Sequence, residues 1–393
     1  MPDAGSEAPF TIDVLRTVAG LAPYRGFIDC HAVTRDAVYE AFLFNLKADP
    51  GTRPHVIVVS EGATPRAMLI GKRVRQRLDL GLAPLSRRMP RLDTLAFVHG
   101  GWLGNGGATE AATAVRSLLQ SLRGGEAMLA AFDRLPVDGA LYAALRRRPG
   151  GLSTDAVPHI ETRTVCELRP GKAFLDTLSK RERSHQRQRA RTIAAEFGGD
   201  LRIASFTAPE EVDMLMRDAE AVAKRSYLRG MGRGFFHDEA TRAGLAFEAR
   251  QGWMRGYVVY GAGKPIAFWL LSQVKRMLYS NALAYDPAFA KHSPGMYLMM
   301  QVMEGIAAAL PASGAATIDF GRGVFGYKDR LGNRQWDEAS MAIFAPTIPG
   351  ALLNLLRTPI AAGNRAVKAA VARNSLLARW RRQRGYRAAG LET

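Results

Sequence analysis

The feature that most constrains the fold is the order of motifs within residues 285–331. A Ser-Pro-Gly sequence at 293–295 precedes a Met- and Ala-rich segment, and a short apolar run ending in Asp319 follows. Proline is favoured at the first helical position, because its missing N–H would have no intrahelical partner there. The order predicts a helix over residues 294–309, then a buried strand, then a cationic loop that holds Tyr327 and Lys328.

The start of this helix has the composition of a phosphate-binding site. The first amides of a helix lack intrahelical acceptors, and the helix dipole favours negative charge at the same end. Gly295 lets a ligand approach the backbone, Ser293 can cap the helix, and Lys291 adds a positive charge. We expect a nucleotide-bearing donor to be held by Lys291, Ser293, Pro294, Gly295, Met296 and Tyr297. The alternative is an ordinary capped helix.

The same motifs carry a family resemblance. The segment resembles the acyl-donor half of GNAT-type acyltransferases, specifically the CelD-like branch related to the FemAB aminoacyltransferases. The motifs that carry the resemblance are Tyr285-Asp286-Pro287, Ser293-Pro294-Gly295, Asp319-Phe320-Gly321 and Tyr327-Lys328. It covers residues 171–344 well and the N-terminal half by general pattern. The chain departs from common GNAT sequences in lacking a Gln/Arg-x-x-Gly-x-Gly/Ala pyrophosphate loop, and residues 291–295 stand in its place.

The resemblance implies acyl transfer from an acyl-CoA to an amine, without a metal. Such a reaction must place the donor, stabilise the developing oxyanion and remove a proton. FemAB enzymes are similar in having a lysine at this motif, so Lys328 is expected over the acyl carbonyl oxygen. Asp319 is either a general base or an ion-pair partner of Arg322 or Lys328 that fixes the turn. Tyr327 could protonate the leaving thiolate or close the cleft.

The acceptor side is predicted from strand periodicity. Tyr279 and Asn281 are two residues apart, so their side chains share one face of a strand. The predicted acceptor-binding residues are Tyr279, Asn281, Tyr285 and Arg322. Trp269 is more often a core residue than a ligand wall. The glycine-rich run at 229–234 follows a helix rather than a strand, which argues against a dinucleotide motif and favours a loop over the acceptor.

The leading prediction is therefore a GNAT-type N-acyltransferase, most plainly an acetyltransferase, acting on acetyl-CoA, another acyl-CoA or an acyl carrier thioester. Direct attack on the thioester is expected, because no Ser or Cys nucleophile with a His partner is visible. By resemblance, the acceptor is a small-molecule or envelope-precursor amine in envelope or polysaccharide biosynthesis. Two alternatives stay open: FemAB-like aminoacyl transfer from charged tRNA, and a non-catalytic adaptor at a membrane surface.

The charge and composition of the chain narrow the classes of partner that it is expected to bind. The net charge is +18, the sequence pI is about 10.3, and 47% of residues are apolar, which is enough for ordinary cores. A basic chain favours acidic partners such as nucleic acid, anionic lipid or phosphorylated substrates. Biased base composition also produces Arg-rich chains, and a CoA cleft needs positive charge in any case. Nucleic acid is not favoured outside the tRNA alternative, because no recognition motif accompanies the charge.

Cysteine and histidine usage argues against disulfides and metal. Cys30 and Cys166 are too few for a disulfide framework, and both are expected to be small buried residues in a reducing compartment. The seven histidines are scattered singly. The N-terminus has neither a cationic region nor an apolar run, and no segment has the roughly 18 apolar residues of a membrane span. We expect a cytoplasmic protein, with peripheral contact at the inner membrane face as an option.

The predicted fold is α/β (α+β), with tandem GNAT-like domains, each a mixed central sheet flanked by helices. The predicted segments are an N-terminal segment at 1–25, a degenerate GNAT-like domain at 26–165, a basic interdomain helix at 166–200, the acyltransferase domain at 201–349 and a basic amphipathic helical tail at 350–393. In the first domain we predict helices over 33–47 and 108–122 and strands at 55–60, 67–72, 95–99 and 127–132. In the second we predict helices over 210–225, capped by Thr207, and 294–309, with strands at 256–260, 265–273, 276–285, 316–320 and 336–344.

Two basic segments have two interpretations each. The run Lys180–Arg191 predicts either a phosphate-contacting helix or a solvated connecting helix, and we favour the second because its arginines fall on several faces. The tail carries nine Lys or Arg and one acid. It is either an amphipathic surface for anionic membrane or a docked helix with a basic end, and Pro359 and Gly363 are expected to break it into short pieces.

Overall fold

The structure of the protein is a computed structural model that describes residues 10–78, 86, 89–147, 149–230, 232, 234–311, 316–321 and 326–373. The chain divides into two compact units. The first unit comprises Met1–Glu161 and Asp337–Ala370, and the second comprises Thr162–Trp336 and Val371–Thr393. The five segment boundaries predicted from the sequence stay a prediction.

The secondary structure alternates strands and helices. The elements up to residue 147 are β1 Phe10–Leu15, α1 Val18–Leu21, α2 Arg25–His31, α3 Tyr39–Lys47, β2 Arg53–Glu61, β3 Thr64–Arg77, β4 Arg91–Gly104, α4 Ala108–Arg123, β5 Leu129–Pro136 and α5 Ala140–Arg147. The later elements are β6 His159–Leu168, α6 Phe174–Thr177, α7 Lys180–Phe197, β7 Arg202–Phe206, α8 Val212–Ala223, α9 Tyr227–Gly230, α10 Glu239–Arg250, β8 Met254–Gly261, β9 Lys264–Val274, β10 Met277–Tyr285, α11 Pro294–Ala309, β11 Ala316–Asp319, α12 Gly326–Leu331, β12 Arg334–Phe344 and α13 Ile348–Arg373.

The two units have the same sheet topology. The first unit has the strand order β1-β2-β3-β4-β5-β12, in which β4 and β5 are parallel and the other neighbours are antiparallel. The second has the order β7-β8-β9-β10-β11-β6, in which β10 and β11 are parallel and the other neighbours are antiparallel. A long helix joins each parallel pair, as a crossover between parallel strands requires. The prediction of a duplicated mixed α/β fold is confirmed.

Each sheet is completed by a strand from the other half of the chain. β12 lies late in the sequence but pairs with β5 of the first unit, and β6 precedes the second unit's helices but pairs with β11. The sequence predicts β12 as part of the second domain, and it does not predict the strands β1, β6 and β7. Strand pairing between residues so far apart leaves no local periodicity, which is why the sequence does not show the exchange.

Both units bury apolar residues against their helices. In the first unit, α4 packs residues at helical spacing on the sheet, among them Ala111, Val115, Leu118 and Leu122. In the second unit, β9 is buried on both faces. Trp269 and Leu271 face the cluster that contains α11, while Phe268 and Leu270 face the cluster that contains α8. Trp269 is fully buried, so it is a core residue, as expected.

Several local predictions are confirmed and others are corrected. The helix at 294–309 has the predicted bounds, and α4 ends one residue later than predicted. The helix predicted at 33–47 instead starts at Tyr39, after a short 3-10 turn. Thr207 does not cap the helix that follows it, because Ala208 is the N-cap of the preceding 3-10 turn and Glu211 is the N-cap of α8. The Glu211 carboxylate accepts from the Thr207 amide at 2.7 Å.

Two further expectations are wrong. Cys30 is exposed, and only Cys166 is buried. The helix α13 runs continuously through Pro359 and Gly363 rather than breaking into short pieces. The Asn354 side chain donates to the carbonyls of Leu152 and Thr154 at 2.9 Å each, and these contacts hold the helix on the first unit. Tertiary contacts therefore override the weak helix propensity of Pro and Gly here.

His55 gives the first unit a pH-dependent stability. Its side chain is 1% exposed, and burial lowers its pKa to about 4, although Glu126 lies 3.3 Å from Nδ1 and opposes the shift. The unfolded chain binds the proton more readily, with a pKa near 6.5. Stability is therefore complete above about pH 6.5 and falls as the pH drops towards 4.

We predict that this single group removes about 3 kcal/mol of unfolding free energy between about pH 6.5 and 4. Urea unfolding at several pH values should show a clear difference in slope between the wild type and His55→Phe over this range. His159→Phe, which changes an exposed histidine, is the control and should keep the wild-type slope. An unchanged slope in His55→Phe would assign the acid sensitivity to other groups.

Candidate active site

A cavity of about 540 Å³ opens in the second unit where β10 and β11 separate. The two parallel strands pair only over Met277–Tyr279 and Thr317–Asp319 within the described residues. The next six residues of β10, 280–285, all line the cavity. Successive strand side chains point to opposite faces, so six consecutive lining residues mean that the edge of β10 borders the cavity. Its backbone groups are thus presented to whatever fills the space.

A β-bulge shapes this edge. The register between β9 and β10 shifts between Ser280 and Ala282, which makes Asn281 the extra residue. The Asn281 side chain donates to Ser272 Oγ at 2.6 Å, and Trp269 Nε1 donates to Ser280 Oγ at 2.8 Å. Of the two predicted acceptor residues on this strand, Asn281 lines the cavity, whereas Tyr279 is buried and lies outside its wall.

The N-terminus of α11 forms the opposite wall, through Ser293, Gly295 and Met296. The amides of Met296 and Tyr297 both donate to the Ser293 carbonyl, at 3.0 and 3.1 Å. These two amides are therefore already bonded, and Pro294 has no amide to offer at the first position. Gly295 is left as the one first-turn amide with no acceptor among the described residues. A ligand here would meet that amide and the positive end of the helix dipole.

The equivalent helix of the first unit begins differently. The Glu110 carboxylate of α4 accepts from the Gly107 amide at 3.0 Å, so this helix start is capped by its own negative charge. The first turn of α11 has no acidic residue, and the Ser293 side chain makes no capping hydrogen bond. A negative ligand is therefore repelled at the first helix and attracted at the second, which agrees with a degenerate first domain.

Ser293 holds an uncommon backbone conformation. Its φ is +50° and its ψ is 53°, in the left-handed region that non-glycine residues rarely adopt. The following proline disfavours compact conformations at this position as well. The Ser293 hydroxyl, freed from capping, lies in the cavity wall. Strain of this kind persists where the surroundings impose it, and it is common at functional sites.

Asp319 is tied into a buried ion pair. Its side chain is 3% exposed, pairs with Arg163 of β6 and accepts from the Gly321 amide at 2.8 Å. Arg163 in turn lies over the Trp336 ring, with its guanidinium carbon 5.6 Å from the ring centroid. Arg322 and Lys328 are the partners that the sequence predicts for Asp319, and Arg163, which is 156 residues distant, has no signal in the sequence. Arg322 lies outside the described residues.

Lys328 and Tyr327 lie in the short helix α12 rather than in a loop. Lys328 is 2% exposed, and its Nζ donates to the Gly321 carbonyl at 2.9 Å. Gly321, with φ +71°, is thus held through its amide by Asp319 and through its carbonyl by Lys328. Tyr327 lines the cavity and packs edge-on against Phe320, with ring centroids 5.8 Å apart. Lys328 supports this wall and does not line the cavity.

Two arginines complete the cavity wall. Arg189 of α7 and Arg330 of α12 both line it, and both approach the buried Glu182 carboxylate, at 3.5 and 3.7 Å. Glu182 is placed by the helix start, where Ser179 Oγ accepts from its amide at 3.2 Å. The lining described here includes no acidic side chain. The signal for Arg189 was the basic run at 180–191, whose phosphate-contacting interpretation was the less favoured one.

The remaining predicted donor-binding residues lie outside the cavity wall. Lys291 is 70% exposed and its Nζ lies 3.7 Å from Glu196. Pro294 is buried at the helix start, and Tyr297 packs on the core, where burial raises the pKa of its phenol. Tyr285 also lines the cavity. Its ring packs beside Gly295, and a Cβ atom added to Gly295 would lie 3.4 Å from the ring.

Other chemistries find little support in the described residues. Burial raises the pKa of the Cys166 thiol to about 12, so this cysteine stays protonated and is a poor nucleophile. No group of three or more His, Cys, Asp or Glu side chains in the described ranges is placed to hold a metal ion. Across the same ranges, every helix is too short or too polar to cross a bilayer.

Comparisons with known proteins agree with this architecture. Residues 179–329 match the family model described as an acetyltransferase (GNAT) domain. FemX has a similar fold, with a TM-score of 0.54 and 12% identity over 88% of this chain and 100% of that one. A conserved protein of unknown function from Bacteroides thetaiotaomicron VPI-5482 has a TM-score of 0.50 and 15% identity over 85% and 100%. A tandem GNAT protein from the clavulanic acid biosynthesis pathway scores 0.49, with 11% identity over 86% and 99%. No curated protein sequence matches the chain.

The fold and the cavity define a duplicated α/β protein with a ligand site between separated parallel strands. The matched range, residues 179–329, includes every lining residue of the cavity except Arg330. Residues 179–329 thus form a GNAT-type domain within a chain whose fold is similar to that of FemX, and the tandem GNAT-like architecture predicted from the sequence is confirmed. The narrower CelD-like assignment stays a prediction.

Variants of the Arg163–Asp319 pair can distinguish a structural role of Asp319 from a catalytic role. We predict that Asp319→Asn lowers the unfolding free energy by about 2–4 kcal/mol, because it leaves a buried guanidinium without its counter-charge. The double variant Arg163→Met, Asp319→Asn should recover part of that loss. Urea unfolding measures both effects.

The matched control is Asp329→Asn, which removes an exposed carboxylate from α12 close by in the sequence. It should change stability by less than about 0.5 kcal/mol. If Asp319→Asn were as stable as this control, the carboxylate would not be a structural partner. The general-base interpretation would then be the better one.

Proposed function

We propose that the cavity binds an acyl thioester of the CoA type and transfers its acyl group to an amine. The observation that carries the proposal is the edge of β10 that lines the cavity beside the start of α11, where the Ser293 side chain makes no capping hydrogen bond. A thioester donor with a pantetheine arm and a pyrophosphate needs both features. The amide-containing arm can bond to the strand edge as an added strand does, and the pyrophosphate can meet the helix start.

The transfer step is direct attack. The amine nitrogen forms a bond to the thioester carbonyl carbon, the tetrahedral oxyanion collapses, and the carbon–sulfur bond breaks. The leaving thiolate takes a proton, and Tyr327 is the hydroxyl of the cavity wall that we assign to donate it. The amine loses its extra proton to water. Backbone N–H groups at the β10 edge are the donors we assign to the oxyanion.

In this proposal Lys328 is a positioning residue. Its ammonium donates to the Gly321 carbonyl, and Lys328 directly follows Tyr327 in α12. The resemblance placed it over the acyl carbonyl oxygen. The buried contact with Gly321 instead supports a role in fixing the turn that follows β11.

The donor proposal predicts a specific loss at Gly295. Gly295→Ala should weaken CoA binding by about tenfold or more, because a methyl group would narrow the approach from the cavity to the Gly295 amide. The added Cβ would meet only the Tyr285 ring, at 3.4 Å, so folding should be unaffected. Gly305→Ala in the same helix is the matched control, with nothing within 4 Å of the added atom.

The measurement is thermal unfolding with and without excess acetyl-CoA, longer acyl-CoAs and free CoA. Ligand at 100 times its dissociation constant adds about 2.7 kcal/mol to the stability, a shift of several degrees. We expect a shift for every CoA form in the wild type and in Gly305→Ala, and a smaller one in Gly295→Ala. No shift across the whole panel would reject a CoA donor.

Aminoacyl transfer from charged tRNA is the second candidate, and one observation favours it. Lys180, Arg187 and Arg191 are exposed and fall on one face of α7, seven and four residues apart. A stripe of this kind suits a phosphate backbone. If the CoA panel is silent and charged tRNA binds with an affinity that falls steeply with salt, this candidate replaces the first.

The acceptor is proposed to carry a negative charge as well as an amine. Arg189 and Arg330 give the described cavity wall a cationic side that one shared carboxylate, Glu182, only partly neutralises. A charge-assisted hydrogen bond to a phosphate or carboxylate there would add about 1.5–3 kcal/mol.

We predict a preference for anionic amines, tested with acetyl-CoA and two probes, glucosamine 6-phosphate and glucosamine. Release of the CoA thiol should show a higher kcat/KM for the phosphorylated probe. Arg330→Gln should lower that value about tenfold and leave the uncharged probe unaffected. Arg181→Gln, on an exposed position of α7 away from the cavity, is the control. Equal use of both amines would contradict an anionic acceptor.

A further inference from the structure

The outward face of α13 is apolar along its described length. Five large apolar residues of this helix are exposed, with fractions from 55% to 79%: Ile348, Leu352, Leu355, Leu356 and Val367. They are half of the ten large apolar residues found exposed in the described chain, and Leu152, at 61%, lies beside the helix. Single exposed apolar residues are ordinary, whereas a contiguous group marks an interaction surface.

Helical geometry places these residues on one side. At 3.6 residues per turn they fall within an arc of about 120°, and the same arc takes in Pro359, Gly363 and Ala366. No charged residue of 348–367 falls on that arc. A helix whose outer face only met water would carry polar residues there.

The opposite side of α13 is fixed on the first unit. Arg357 pairs with the fully buried Asp155 at 2.6 Å, and the Arg365 guanidinium donates to the Pro158 carbonyl. Leu353 and Ile360 pack against a small apolar cluster that includes Phe344. The helix cannot bury its outer face by turning, because its inner face has both polar and apolar partners.

Charge indicates what covers the apolar face. Residues 351–393 carry nine Lys or Arg and one acid, Glu392. An apolar helix face accompanied by an excess of positive charge suits the interface of an anionic bilayer, where apolar side chains enter the acyl boundary and basic groups meet lipid headgroups. Because no described helix is able to cross a bilayer, α13 would lie in the plane of the surface.

We propose that the outer face of α13 docks on an anionic lipid bilayer and so places the first unit at a membrane surface. This role is independent of the transferase reaction, because every residue that forms the face lies outside the cavity wall. The occupant is a lipid surface rather than a protein groove, since the face is continuous in sequence with a basic segment and has no charged residue at its centre.

The test is co-sedimentation of the full chain with vesicles. Binding is expected with phosphatidylglycerol mixed into phosphatidylcholine and should be weak with phosphatidylcholine alone. Raising the salt concentration should weaken it. Leu352→Ser combined with Leu356→Ser should lower vesicle affinity by about tenfold to a hundredfold, because two leucines lose their transfer into the lipid.

The control is Val18→Ser combined with Met214→Ser, which removes two exposed apolar residues elsewhere, at 45% and 44% exposure. This variant should bind vesicles as the wild type does. Both variants change only exposed side chains, so thermal unfolding and CoA binding should match the wild type in each.

A second measurement does not depend on affinity. In a Cys30→Ser background, an environment-sensitive fluorophore is attached at Leu356→Cys or at Val18→Cys. Anionic vesicles should shift the emission to shorter wavelength at position 356 only. Absence of vesicle binding, equal loss in both serine variants or an equal spectral shift at both positions would overturn the proposal. So would a monomer–dimer equilibrium abolished by the leucine changes, which would make the face a contact between copies of the chain.

Discussion

The separation of β10 from β11 is the constraint on which the site depends. The strands pair as far as Tyr279 and Asp319, and then β11 ends while β10 continues along the cavity. The end of β11 is held by a buried ion pair from Asp319 to Arg163 and by two hydrogen bonds to Gly321, one of them from Lys328. Without these contacts the turn would be free to follow β10, and the backbone edge that faces the cavity would be covered.

The two units share one topology but differ at the start of the helix that joins their parallel strands. Both units place a helix between a parallel pair of strands, but Glu110 caps the first helix with its own charge, whereas the second begins at Pro294 beside a strained Ser293. The dipole at the second helix start is therefore available to a ligand. The first unit instead carries most of α13, whose outer face is apolar, so the cavity and this apolar face belong to different units.

Much of the second domain could be predicted because its signals are local. The bounds of α11 follow from proline at the helix start and from the apolar segment behind it, and Asn281, Tyr285, Gly295 and Tyr327 line the cavity as the motifs indicate. Arg163 could not be predicted, because it meets Asp319 from a strand 156 residues away. The bulge at Asn281 and the burial of Lys328 likewise depend on neighbouring strands, which the local sequence does not specify.

The sequence by itself determined the class of fold, the helix start at Pro294, the basic character of α7 and of the tail, and the motifs of a GNAT domain. These features arise from residue preferences within a few positions of each other, so they can be recognised along the chain. Only the tertiary structure decided which strands complete each sheet, which charges are buried in pairs and which face of α13 is exposed. Those outcomes depend on contacts between distant residues. The tertiary contacts, and not the composition, decide whether a charged side chain or a leucine is buried in the core or exposed at the surface.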